Sequence, residues 1–316
     1  MKNVNALVSV VIPTLNRLNF IIETINSVIK QSYKNIEIII SDNGSNINVQ
    51  SYLESIYNDH RIRYRHNSRT VEFPIHLNQC ISFALGEYFI ILSDDDKISE
   101  NFIESFVHQF ELNKNLEIGL SRSKLMDKEG FIYRDLGVYD WDSLNGYDFI
   151  RNWYLKLENV KFITLITTFF RLSTLKQVDG YPNFIGGSYS DYGLVLKILT
   201  KGDVFFSSKS IFYYRVFTES YGLSLSPSDL AKGSNQFNNF VKKLFLKSKI
   251  LSKNEVSIII KNVRFLTFEC YDYRLLNIYK LSKFSLFINY IIFKIKIEEL
   301  IFILKKYSYF KKYLNK

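Results

Sequence analysis

Cysteine is scarce in this sequence. Cys80 and Cys270 are the only two among 316 residues, and they stand far apart. Without a CxxC pair or a Cys/His cluster, a disulfide scaffold and a zinc site of the usual kind are both excluded. A reducing, cytoplasmic setting is the expectation. Glycine (13) and proline (4) are also few. Neither glycine-rich phosphate loop, GxGxxG or GxxxxGK(S/T), occurs, so a bound nucleotide would need some other cation for its phosphates. No stretch reaches 18 uncharged apolar residues, and no transmembrane helix is expected. The first apolar run, Leu7–Ile12, stops at Pro13 and does not read as a signal peptide. No internal repeat is visible.

Apolar side chains are plentiful. Hydrophobic residues make up 47% and aromatics 16%, with 22 Tyr and 27 Phe, ample for a packed core. The net charge of +10 is unevenly placed. Residues 241–316 hold 17 Lys and Arg against 5 Asp and Glu, whereas the other 240 residues hold 24 against 26. This argues against a basic nucleic-acid groove through the main body, and no nucleic-acid partner is expected. It points instead to an appended cationic surface.

The first 120 residues alternate strand and helix. Leu7–Ile12, Ile36–Ile40 and Tyr88–Leu92 are apolar, partly β-branched runs that read as buried strands, with a shorter one at Ile62–Arg65. Between and after them, 18–31, 48–57, 75–85 and 100–112 carry helical spacing, as with Leu18, Ile21, Ile22, Ile25, Val28 and Ile29. This alternation predicts an α/β fold with a mostly parallel central sheet and helices on both faces. Residues 117–240 are less regular, with strands near 117–121, 162–170 and 203–214 and helices near 146–157 and 190–200. Nothing marks a clean linker. One domain is expected over 1–220, divided near 115, followed by a mostly helical, basic extension over 221–316.

The three long strands share a property. Each ends in small or polar residues: Pro13-Thr14-Leu15-Asn16, Asp42-Asn43-Gly44-Ser45, and Ser93-Asp94-Asp95-Asp96. In open α/β sheets, ligands bind outside the carboxyl ends of the strands. Three segments are therefore expected to converge on one crevice. Three consecutive aspartates repel one another unless a cation compensates. Carboxylate oxygens suit Mg2+ or Mn2+, which bridge carboxylates to phosphates. Taken alone, the triplet also reads as a solvated turn.

The segments VSVVIPTLNR (8–17), IEIIISDNGS (36–45) and GEYFIILSDDD (86–96) resemble the successive signatures of inverting family 2 glycosyltransferases with the GT-A fold. The helix ending SVIKQSYKN (27–35) and the later GYPNF (180–184), SDYGLVLKIL (190–199) and FYYRV (212–216) are similar to that family too. The resemblance covers about residues 7–216. It implies a metal-dependent transferase that moves a sugar from a nucleoside-diphosphate sugar, with UDP favoured, to a hydroxyl of a saccharide or lipid-linked saccharide. Bacterial surface polysaccharide synthesis is the implied setting.

The resemblance also implies roles. Pro13, Thr14 and Asn16 would line the nucleotide pocket, Asp42 and Asn43 would contact the base, and Asp94 the ribose or the metal's surroundings. Asp95, with Asp96 in reserve, would hold Mn2+ or Mg2+. Asp191 would be the catalytic base, in a place that also suits a helix cap. Arg69 could reach the diphosphate or simply lie on the surface. His60, His66, His76 and His108 lack ligand spacing and read as surface or packing residues. The chain departs from the family pattern at Ser93, Asn43 and Phe217. Those departures sustain a second reading, a catalytically degenerate subunit that binds partners in a polysaccharide synthesis complex. A nucleotidyltransferase would want a basic glycine-rich loop after the first strand, which PTLNR is not.

The tail carries a separate expectation. Residues 283–316 combine Phe284, Phe287, Ile291, Phe293 and Leu304 with Lys294, Lys296, Lys305, Lys306, Lys311 and Lys312. A basic helix with aromatics reads as a peripheral anchor on the inner face of the cytoplasmic membrane. Packing on the main domain, or at a contact between copies in a homo-oligomer, is the alternative.

Overall fold

A computed structural model describes residues 5–137, 142–155, 168–216 and 225–277. Strand β1, Val8–Thr14, is buried along its whole length. Parallel neighbours flank it on both sides, β2 (Ile36–Asp42) and β4 (Tyr88–Ile91), with Val10 opposite Ile38 and Ile90. β3 (Ile62–His66) adds to the outer side of β2. Strands covered on both faces read as unbroken apolar runs, and these do. Val8, Val10, Ile12, Ile38 and Ile90 face one core with Ile25 and Phe106; Val11, Ile39, Phe89 and Ile91 face the other with Leu77 and Ile81.

The crossovers are helical, as right-handed parallel connections require. They are α1 (Ile21–Ile29), α2 (Val49–Glu54) and α3 (Phe73–Phe83), and α4 (Phe102–Leu112) follows β4. The helix expected from Leu18 begins three residues later. Asn16 takes a left-handed backbone, φ 54°, Arg17 and Leu18 have no regular structure, and Asn19–Phe20 form a turn before the helix starts. Pro74 opens α3, where its missing N–H costs nothing.

The second half departs from pure parallel order. β6 (Leu116–Met126) and β10 (Asp203–Arg215) pair in parallel, but β9 (Phe169–Arg171) runs antiparallel between β4 and β6. With β5 (Lys97–Ile98), the order is β3-β2-β1-β4-β9-β6-β10-β5. Short strands β7 (Ile132–Asp135) and β8 (Ser143–Leu144) pair with β6 and β10. The sheet is thus mixed: β3, β2, β1 and β4 run parallel in the half that the strand–helix alternation marked, and β6 and β10 form a second parallel pair. Of the strand expected at 162–170, residues 162–167 lie outside the described residues.

Helices α5 (Gly146–Tyr154), α6 (Leu172–Gln177) and α7 (Ser190–Leu199) cover the second half. Two long helices follow, α8 (Pro227–Leu246) and α9 (Lys253–Asn277). Phe237, Val241, Phe245, Ile259 and Val263 share one core with Trp153, Leu194 and Ile198. The described part of the basic extension therefore packs on α5 and α7, beside the second half of the sheet. Residues 278–316, which carry the membrane expectation, lie outside the described residues, as does Phe217. Among the described residues, no helix is long and apolar enough to cross a membrane.

Candidate active site

Pro13 lies where β1 has lost its β4 neighbour, whose pairing ends at Val11–Ile91. A residue without an N–H is tolerated at such a strand end. Thr14 follows. Its hydroxyl donates to Asp94 Oδ2 at 2.7 Å, and its carbonyl accepts the N–H of Asn43 at 2.9 Å. The ends of β1, β2 and β4 are thereby tied together, the convergence expected from the three polar strand ends.

The aspartates are almost wholly buried: Asp94 is 5%, Asp95 7% and Asp96 0% exposed. Arg17 compensates the first two. One of its terminal nitrogens donates to Asp94 Oδ1 at 3.1 Å and to Asp95 Oδ2 at 2.7 Å. Burial pushes the Asp94 carboxyl up to about 6, with Arg17 opposing the rise. Burial raises Asp95 as well, again against Arg17. Asp96 is held well above the usual carboxylate range by burial and by the charge of Asp95.

Asp96 faces inward rather than with its neighbours. Its Oδ1 accepts the backbone N–H of Arg215 at 2.8 Å, and its Oδ2 has no partner. Arg215 ends β10 and its side chain is fully enclosed. Its Nε donates to the Asp95 carbonyl at 2.8 Å, a terminal nitrogen donates to Glu23 at 2.9 Å, and its guanidinium lies 4.4 Å from the Phe20 ring centre. The geometry comes from a bulge. β10 slips register against β6 between Ser207 and Ile211, where Ser207 Oγ accepts the N–H of Ser210. Such a bulge re-aims the strand beyond it.

Asp42 is enclosed as well. Its Oδ1 accepts the N–H and hydroxyl of Ser45 at 2.9 and 2.6 Å, and its Oδ2 accepts Tyr64 OH at 2.5 Å and lies 3.2 Å from His66 Nδ1. Despite burial, these bonds hold its carboxyl below the usual range. Asn43 grips the 67–71 loop: its Oδ1 accepts from Asn67 and from the Val71 N–H, and its Nδ2 donates to the Val71 carbonyl. A base reaching either side chain would share atoms already bonded. Asn16 braces the neighbouring loop, donating its N–H to Ser45 Oγ and accepting from the Asn46 N–H. The Arg69 side chain is exposed at the loop's edge.

Asp191 lies in the first turn of α7 and accepts the N–H of Tyr192 at 2.9 Å. It is not the cap. That position belongs to Tyr189, in a left-handed backbone with φ 64° and no capping side chain. Tyr189 is fixed by stacking on Phe237 of α8 at 5.2 Å. The phenols of Tyr154 and Tyr181 are raised by burial and then by the negative charge of Asp191. The turn before α7 lies against the start of α3, because a Cβ at Gly187 would stand 3.1 Å from Phe73.

Among the described residues, no three His, Cys, Asp or Glu side chains form a ready metal cage. Asp94 and Asp95 offer a hard-oxygen pair beside the ends of β1 and β4, and Mg2+ or Mn2+ needs only one or two carboxylates when phosphate and water complete the shell. The donor set fits such an ion. Among the histidines, His76 is a packing residue as expected, bonded to Ser41 Oγ at 2.9 Å. Arg17 and Arg215 were not singled out by the sequence reading, although both stand inside its motifs, PTLNR and FYYRV. What identified neither was the partner, which in each case lies on a distant segment.

A mixed, helix-covered sheet with an acidic loop at the joint carboxyl edge of β1 and β4 defines a GT-A glycosyltransferase fold. The chain belongs to glycosyl transferase family 2, whose model matches residues 9–178. It is 36% identical over 104 residues to glycosyltransferase GlyG of Streptococcus pneumoniae serotype 4, covering 33% of this chain and 35% of that one. It is 30% identical over 103 residues to the GalNAc(5)-diNAcBac-PP-undecaprenol beta-1,3-glucosyltransferase of Campylobacter jejuni, covering 32% and 33%. The matched segments thus span about a third of these relatives. Staphylococcus aureus TarS (residues 1–349, with UDP-GlcNAc) superposes with a TM-score of 0.65 at 16% identity, over 93% of this chain and 77% of that one. The mannosyltransferase PcManGT of Pyrobaculum calidifontis, with GDP-Man and Mn2+, gives 0.55 at 12% identity, over 94% and 83%.

Proposed function

We propose that this chain transfers a sugar, with inversion, from a nucleoside-diphosphate sugar to an acceptor hydroxyl in bacterial surface polysaccharide synthesis. The observation that carries the reading is the Thr14–Asp94–Arg17–Asp95 cluster at the joint edge of β1 and β4. It puts two carboxylates and a guanidinium where a diphosphate and its metal would sit. Pro13, Thr14, Asn16, Asp42, Asn43 and Arg69 frame the nucleotide side. Asp94 borders the ribose. Asp95 is the ligand for Mn2+ or Mg2+, and Asp96 supports it from behind.

A divalent ion on Asp95 would act as a Lewis acid for the leaving diphosphate. The chain's own residues do the rest. Asp191, on the acceptor side, takes the proton of the attacking hydroxyl. Attack from that face, opposite the leaving group, inverts the anomeric carbon. UDP is the favoured carrier, supported by the UDP-GlcNAc bound to TarS. A saccharide or lipid-linked saccharide is the acceptor class, in keeping with the undecaprenol-linked acceptor in the Campylobacter enzyme's name.

Thermal shift with UDP- and GDP-sugars, with and without Mn2+, tests the reading, because stabilisation follows ligand concentration over Kd. A metal-dependent shift that Asp95→Ala abolishes supports it. No shift with any nucleotide sinks it. Binding with no turnover of any donor would favour the subunit reading instead.

A further inference from the structure

Arg17 occupies ground that a cation should hold. Its guanidinium touches both outward-facing carboxylates of the aspartate loop, at 3.1 Å from Asp94 and 2.7 Å from Asp95. Those side chains are 6% and 10% exposed, so Arg17 supplies the charge that compensates two nearly buried carboxylates. The second arginine at the loop is of a different kind. Arg215 is held by the Asp95 carbonyl, Glu23 and the Lys128 carbonyl, and has no room to leave. Arg17 is 31% exposed and lies ahead of α1, next to Asn16 in its left-handed backbone.

A divalent ion on this carboxylate pair would repel the guanidinium about as strongly as the pair attracts it, so the ion's arrival cancels what holds Arg17 there. We propose that Arg17 is the resident counter-ion of Asp94 and Asp95, that a divalent ion must displace it, and that the displaced guanidinium then takes the donor's diphosphate. This rests on the functional reading above. Metal alone binds weakly, because it must break two charged hydrogen bonds that only water then replaces. Metal with a nucleoside diphosphate binds well, because Arg17 gains a new anionic partner. By reciprocity, each ligand strengthens the other by the same factor.

Mn2+ binding to the full chain, measured by calorimetry or electron paramagnetic resonance with and without UDP (or GDP), tests this directly. Arg17→Gln is expected to bind Mn2+ alone about 10-fold more tightly and UDP at saturating Mn2+ about 10-fold more weakly. The opposite signs separate exchange from a purely structural role, which would shift both in one direction. Arg17→Lys, which keeps the charge without the planar fork, should fall between. Arg17→Gln should also melt lower without metal and recover with Mn2+. An unchanged or weaker Mn2+ affinity in Arg17→Gln, with wild-type binding intact, overturns the exchange alone. Failure of the wild type to bind Mn2+ with either nucleotide overturns the functional reading and the exchange together. Should Arg17→Gln fail to fold even with Mn2+, Arg17→Lys decides by the same two affinities.

Discussion

Asp96 accepts the backbone N–H of Arg215 at 2.8 Å, so the end of β10 is stitched to the loop after β4. The Arg215 side chain returns past the same loop to the Asp95 carbonyl and to Glu23 of α1. One residue therefore joins three elements behind the aspartates. Glu23 is half exposed and keeps Lys97, but the carbonyls of Asp95 and Lys128 would lose their donor, so Arg215→Met should cost about 2–4 kcal/mol in urea unfolding. Arg215→Lys should recover part of this, since it keeps the charge but loses the fork. Arg215→Met within about 1 kcal/mol of wild type would contradict the stitching.

The parallel half of the sheet was legible because β1, β2 and β4 are buried on both faces, which leaves a mark in composition. The antiparallel β9 left no such mark. Three residues carry no period, and its place between β4 and β6 is set by tertiary packing. β5, β7 and β8 are shorter or more exposed still. The meeting of the three polar strand ends was legible from their residues. Its inner wiring was not. Arg215 bonds three backbone carbonyls, which carry no side-chain identity, and Asp42 is spent on Tyr64 and His66, residues whose register only the β2–β3 pairing sets.

His76 should govern part of the acid stability. Burial lowers its imidazole to about 4, so the folded protein holds it neutral beside Ser41. The unfolded chain protonates it near 6.5. Between those values the unfolded state binds more protons, so stability falls as pH drops from about 6.5 to about 4. A shift of this size corresponds to about 3 kcal/mol. His76→Gln should flatten that limb in urea titrations from pH 7 to pH 4. An equally steep loss in the variant would assign the acid sensitivity elsewhere.

Gly44 should resist substitution. Its φ is +86°, and an added Cβ would stand 2.8 Å from backbone atoms of Arg69 and Thr70. Neither backbone can give way without disturbing the 67–71 loop that Asn43 holds. Gly44→Ala should cost about 1–3 kcal/mol and weaken nucleotide binding. Measured by thermal melting and calorimetry, a neutral effect on both would show that the loop moves freely.

Asp191 separates chemistry from binding. It stands in the first turn of α7, with one oxygen on the Tyr192 N–H, next to a turn held by the Tyr189–Phe237 stack. Asp191→Asn keeps the shape and one acceptor oxygen, but cannot take a proton. As the general base of the proposed transfer, it should lower kcat by about 10²–10⁴. Donor affinity at saturating Mn2+ should stay unchanged, because the donor is held by groups at the ends of β1, β2 and β4. Asp95→Asn should do the reverse first, weakening metal-dependent donor binding before any turnover is measured. Equal loss of binding in both variants would mean that Asp191 shapes the nucleotide pocket, and the base would have to be sought among other residues of the acceptor half.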